Sequence, residues 1–301
     1  MAILNGRLGT PPGRTAYLAA MELMDVGFAH LALAAVTGLF AGAHASTWGM
    51  YKDSPYEGFR LRKYVRSLVL GAGFGVLWEL VLRVDLGAAS ARLLLFGLVY
   101  VAERAAVEVY KACFREEDQS KYTIPMQLAV GGRVVQSKAV RWMAAAGWAA
   151  TLLLVAGGVQ ALQDRPDLLA PGIAVVLAGS LGGWVSAVGG ACKDAPIEGF
   201  DLLKFFRSPA LALAWSFVVS AFTSSYVLIG LCSLGFTIAT IETYKTFGGR
   251  PPGKWAGKPL LHAGVLAWRG RFAPVLFGIW AALVGHIAWA WVQGATLVAG
   301  M

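Results

Sequence analysis

Eight apolar stretches of about twenty residues, separated by polar loops, constrain this chain more than any other feature. They run roughly over residues 27–49, 66–86, 91–112, 140–162, 168–190, 207–227, 228–246 and 272–295. A helix rises about 1.5 Å per residue, so about 20 residues cross the ~30 Å hydrocarbon core of a bilayer. Inside a bilayer every backbone amide must be satisfied within the protein, which leaves helices and closed barrels. A barrel requires strands of about ten alternating residues, and the sequence has none. The expected fold is therefore all-α and polytopic, with about eight transmembrane helices. The proportion of charged residues agrees: 14% of 301, against about 25% in soluble domains. Mean hydropathy is +0.61. A soluble enzyme, a disordered chain and a disulfide scaffold are excluded.

The sequence also repeats itself. Residues 52–67 (KDSPYEGFRLRKYVRS) and 193–208 (KDAPIEGFDLLKFFRS) are identical at ten of sixteen positions, at an offset of 141. Gly38 and Gly42 match Gly179 and Gly183 at that offset. VEVYKACF (107–114) then matches IETYKTF (241–247), Lys121 and Pro125 match Lys254 and Pro259, and GWAA (147–150) matches IWAA (279–282). The later offset of about 132–134 suggests a shorter outer hairpin after the second helix of the second copy. Four spans per copy is an even number, so both copies enter the membrane in the same sense. The expectation is two parallel four-helix repeats, 27–162 and 163–301, after an N-terminal arm, 1–26. Glu22 and Asp25 interrupt the first apolar stretch, so the arm does not read as a removable signal.

Charge gives the expected orientation. Segments 51–67, 111–141, 193–207 and 245–271 hold 20 of the 26 Lys and Arg residues. Loops rich in Lys and Arg stay cytoplasmic. Both termini are then expected on the opposite side of an inner (cytoplasmic) membrane. The net charge of +9 fits the bilayer as partner rather than a nucleic acid.

The repeated motif carries the first set of candidate residues. These are Asp53, Glu57, Lys63 and Arg66 in one copy, and Asp194, Glu198, Lys204 and Arg207 in the other. Pro55 and Pro196 fit the first position of a new helix, with Ser54 as N-cap and Glu57 completing a capping box. That reading places a short amphipathic helix on the cytoplasmic face. Glu108 and Lys111, matched by Glu242 and Lys245, add charge at the end of the third span of each copy. Two chemistries suit the set. Ion pairs between helix ends can hold one face of a two-repeat transporter closed. Carboxylates with cations can also form a site for a phosphorylated lipid or a metal-phosphate.

Charges within spans are costly and mark candidate sites. The first copy has Glu79, Glu103, Arg104 and Glu108. The second replaces the first three of these with Ser220, Thr237 and Ile238, and keeps Glu242. Either Arg104 forms a buried pair with Glu79 or Glu103, or the first half carries a polar pathway. His30 and His44 have the spacing of two stacked haem ligands, but Pro171 and Val185 stand at the matching positions. The three cysteines lack metal or redox spacing. No cofactor and no metal are expected. Small residues every fourth position (Ala34, Gly38, Gly42, Ser46; Gly179, Gly183, Ala187) permit close helix approach. They are expected to bring the first and fifth helices together, or to serve a homodimer or a membrane-complex partner. Trp142, Trp148, Trp280, Trp289 and Trp291 are expected to face lipid or the interface.

The sequence has no phosphate-cradling loop, dinucleotide fingerprint or nucleophile elbow. The leading expectation is a transporter or channel for a small solute. The alternatives are a non-catalytic subunit of a larger membrane complex, or an enzyme acting on a phosphorylated lipid at the cytoplasmic face.

Overall fold

The structure is a computed structural model that describes residues 12–247 and 253–294, with side chains from Gly27 onward. Eight long helices make up the fold: α1 (Pro12–Glu57), α2 (Leu61–Leu82), α3 (Ala89–Val109), α4 (Lys138–Gln163), α5 (Pro171–Glu198), α6 (Leu202–Val219), α7 (Tyr226–Phe247) and α8 (Ala273–Val292). A single helical turn, Leu266–Arg269, leads toward α8. A small hairpin pairs Ala129–Val130 with Arg133–Val134. Among the described residues, seven helices are long and apolar enough to cross a membrane. The fold is that of an all-α, multi-pass membrane protein. The eighth long helix, α3, carries Arg92, Glu103, Arg104 and Glu108, yet 15 of its 21 residues are buried. Glu103 and Arg104 are buried within protein, while Arg92 is half-buried and Glu108, near the helix end, is exposed.

Small residues decide which helices meet, and the pairing differs from expectation. A Cβ on Gly38 would lie 2.1 Å from the Gly71 carbonyl oxygen, and one on Gly75 would lie 2.2 Å from that of Ala34. The small face of α1 is therefore filled by the backbone of α2. In the same way, Gly183 of α5 abuts Ser208 and Pro209 of α6. Among the described residues, α1 and α5 are not a main packing pair. The central crossing belongs to α3 and α7, where a Cβ on Gly235 would lie 2.1 Å from the Gly97 carbonyl oxygen. Cys232 Sγ donates to the Leu94 carbonyl at 3.3 Å. The contact positions advance together along both helices, so α3 and α7 run parallel. Phe96, Leu98, Val99, Ile229 and Phe236 fill the core around them.

The repeated motif does not begin a new helix. α1 continues through it to Glu57 and α5 to Glu198, and each stops at a glycine with positive φ, Gly58 (76°) and Gly199 (83°). Glycine adopts this conformation without Cβ strain and ends a helix efficiently. Pro55 and Pro196 lie in the last turns. Ser54 donates to the Met50 carbonyl rather than capping. The α2 N-cap is Arg60, and in α6 it is Asp201, whose carboxylate accepts from Lys204 N–H at 3.0 Å. No separate surface helix forms there. The Pro55 carbonyl, orphaned at the helix end, accepts from His262 N–H at 2.9 Å.

The shortening of the second half falls in the helices on either side of the hairpin rather than in its loop. α6 has 18 residues against 22 in α2, while the connections 83–88 and 220–225 have equal length. α8 packs against α1 and α3. α4 stands at the edge, with Arg141 its only buried residue. Trp142, Trp148, Trp289 and Trp291 are exposed on the helix surface as expected. Trp280 instead turns inward, and its Nε1–H donates to Thr243 Oγ1 at 2.9 Å.

Candidate functional site

The four basic segments converge at one end of the helices, where two cavities open. The first, about 80 Å³, lies among the ends of α1 and α3 and the start of α2. Asp53, Lys63, Arg66, Ser67, Arg104 and Lys111 line it, joined by Glu57, Arg115, Tyr122 and Lys254. The second, about 160 Å³, lies among α5, α6 and α7. Its lining includes Asp194, Lys204, Arg207, Ser208, Ile238, Glu242 and Lys245. The linings correspond in sequence: Asp53 with Asp194, Lys63 with Lys204, Arg66 with Arg207, Ser67 with Ser208, and Lys111 with Lys245. The main exchange is Arg104 for Ile238.

Ion pairs tie this end together. Lys52 of α1 reaches Glu242 of α7 at 2.6 Å, and Lys245 meets the same carboxylate at 3.1 Å. The carboxylate of Asp53 is held from the far half of the chain by Lys254 Nζ at 2.7 Å and Trp255 Nε1 at 3.1 Å. Trp255 stacks on Tyr56 with ring centroids 5.0 Å apart. In the second half Asp194 and Glu198 instead share Lys204, at 2.8 and 2.9 Å. Glu57 pairs with Lys63. Glu108 accepts from Arg104 at 2.5 Å and Lys111 at 2.6 Å. Lys193, the counterpart of Lys52, lies within electrostatic reach of Glu108.

Deeper groups separate into two places. Glu103, 1% exposed, has Arg104 at 3.6 Å and no hydrogen bond to either carboxyl oxygen. Arg104 also lies 5.0 Å over the Trp48 ring. Glu79 is not its partner. It sits toward the opposite end, 3.5 Å from His30. Between them lies a closed polar network around His44. His44 Nδ1 is 2.9 Å from Tyr100 Oη, and Nε2 is 2.9 Å from Thr243 Oγ1. Trp48 Nε1–H donates to Tyr100 Oη, Trp280 Nε1–H donates to Thr243, and Thr243 donates to the Ala239 carbonyl. One arrangement satisfies every atom: a neutral imidazole donates from Nε2 to Thr243 and accepts at Nδ1 from Tyr100. Both ring nitrogens are thus engaged.

Beyond the spans, the 115–122 loop is held by Glu117, which pairs with Arg115 and Lys121 and accepts from Tyr122. Burial alone would raise its pKa. The Lys121 hydrogen bond, the Arg115 charge and the Tyr122 hydroxyl together hold it below the usual 4.5.

The structure therefore gathers Asp53, Glu57, Lys63, Arg66, Arg104, Glu108 and Lys111 into one cluster and Asp194, Glu198, Lys204, Arg207, Glu242 and Lys245 into another. Glu79 is apart from both. Sequence reasoning passed over Lys52, Lys254, Trp255 and Arg115. Lys52 was visible as the first residue of the motif, and Lys254 as the match of Lys121. Among the described residues no group of three or more His, Cys, Asp and Glu side chains is arranged to hold a metal ion. Comparison with known proteins finds no matching family model, no similar curated protein and no similar solved structure.

Proposed function

We propose that this chain is a transporter for a small solute in the inner (cytoplasmic) membrane. It consists of two parallel four-helix repeats, and in this conformation the cytoplasmic end is tied shut. The observation that carries the reading is the Lys52–Glu242 pair at 2.6 Å, which bridges the two halves at the basic end. The correspondence of the two cavity linings and the parallel crossing of α3 and α7 also support it. Rocking of one half against the other about that crossing is the motion parallel repeats allow. Opening the basic end then requires Lys52 and Lys254 to release their carboxylates.

The test is flux in liposomes holding the purified chain, with labelled inorganic phosphate, phosphate esters and small carboxylates as probes. Flux above that of protein-free vesicles, altered by Lys52→Gln or Glu242→Gln, is expected. No flux of any probe would overturn the reading.

The lipid-enzyme alternative draws support from the position of the larger cavity beside Phe200 and Phe205, and it predicts a lipid product by mass spectrometry. It is the weaker reading, because Asp194, the acid–base candidate lining that cavity, is engaged by Lys204.

A further inference from the structure

We propose that each of the two cavities binds a phosphate group, gripped by Arg66 in one and Arg207 in the other. The inference names the class of cargo for the transporter reading and rests on it for that role, but phosphate binding itself can be tested without flux.

The argument begins with pairing. Every other cation lining the two cavities has a carboxylate partner: Lys63, Arg104, Lys111, Arg115, Lys204, Lys245 and Lys254. Among the described residues, Arg66 and Arg207 have neither an ion pair nor a hydrogen bond, and the Nε of each is buried without a partner. They occupy the same motif position, 141 residues apart. Each arginine is half-buried, with Nε covered and the terminal nitrogens not buried. A guanidinium with no counter-ion is free to meet an anion, and its planar fork matches a phosphate through two parallel hydrogen bonds. The same arrangement occurs in both halves.

The surroundings complete the grip. Ser67 and Ser208, each next to its arginine, line the same cavities with a hydroxyl, and Lys63 and Lys204 add an ammonium. The first lining holds six cations against two carboxylates, which suits a phosphate carrying about two negative charges. The second holds three of each, so the first is the tighter site. At about 80 and 160 Å³, the cavities suit a phosphate-sized group with little attached to it in the first and more in the second.

The experiment uses the full chain in nanodiscs. Inorganic phosphate is titrated by calorimetry, and retention of phosphatidic acid against phosphatidylcholine is read by native mass spectrometry. Saturable phosphate binding points to a free phosphate or phosphate ester. Selective phosphatidic acid retention without phosphate binding points to a lipid headgroup. Either result supports the proposal when the double variant Arg66→Gln/Arg207→Gln weakens it about tenfold or more and Arg66→Lys/Arg207→Lys restores some of it. Unchanged elution and melting of the variants show that folding is intact. Binding unaffected by the glutamine pair, or no binding in either arm, overturns the proposal. Phosphate binding without any flux would instead remove the transporter reading and leave these sites standing.

Discussion

Lys52 Nζ lies 2.6 Å from Glu242 Oε2, joining the last turns of α1 to α7 across the length of the chain. Both side chains are largely enclosed, so the pair is poorly screened. Lys52→Glu would set a second carboxylate against Glu242, and Glu242→Lys a further ammonium beside Lys52 and Lys245. Lys52→Glu and Glu242→Lys should each destabilise by about 3–5 kcal/mol. The double reversal should recover part of that loss in a double-mutant thermal-melt cycle, because the Lys245 ammonium stays beside position 242. Additive losses would show that the two side chains do not interact.

His44 gives a second prediction. Replacing it with Leu leaves Tyr100 Oη without its acceptor and Thr243 with one donor fewer. Each buried group left unmade costs about 1–3 kcal/mol, so the melting temperature should fall clearly. Tyr100→Phe should cost about as much, because Trp48 Nε1–H and His44 Nδ1 then lose one bond each. Equal melting of all three proteins would mean that the network is not formed.

Glycine positions separate sharply by what a methyl group would meet. Gly38→Ala and Gly235→Ala each drive a Cβ to 2.1 Å from a backbone oxygen and must push the packed helices away from each other. Overpacking of this kind typically costs about 1–3 kcal/mol or more. Gly73→Ala, with nothing within 4 Å, should be neutral or mildly stabilising. Similar losses at all three positions would argue against the α1–α2 and α3–α7 contacts.

Glu117 makes stability depend on pH in a definite direction. Its folded-state pKa is below the ordinary 4.5, so the unfolded chain binds the proton more readily. Its contribution is fully present above pH 4.5 and is lost as pH falls through the folded value. The stability gap between the native chain and Glu117→Gln should be open near neutrality and close in acid. A gap that is the same at both pH values would contradict the pairing with Arg115 and Lys121.

The helices were legible because a hydrocarbon solvent demands long apolar runs, and each expected span overlaps one long helix, though α1 and α5 run on past theirs and α6 stops short. The end of α1 was misplaced because Pro55 reads locally as a helix start, whereas Gly58, three residues on, sets the stop. Partner choice was the least legible. Gly38 announces a close approach without saying to which backbone, and α2 is simply the next helix to arrive. In the candidate site, the motif gave the charges but not their pairing. Only the folded arrangement separates Arg66 and Arg207 from the cations whose charge is already matched. Arg104 was read as a partner for Glu79 or Glu103. Of the two it meets Glu103, and Glu108, one turn along its own helix, is closer still.

The enclosure of α3 bears on how the protein is made. Taken alone, this helix would carry Glu103 and Arg104 into lipid, at about 2.5–3.5 kcal/mol for each charge near the bilayer centre. Some of the shelter for that face comes from α7, which leaves the ribosome only after α4, α5 and α6. Through that interval α3 must wait beside α1 and α2, or at the edge of the insertion machinery, with its charged side incompletely covered. A chain cut short before Tyr226 would leave that side open for good, which makes such fragments natural targets for membrane quality control.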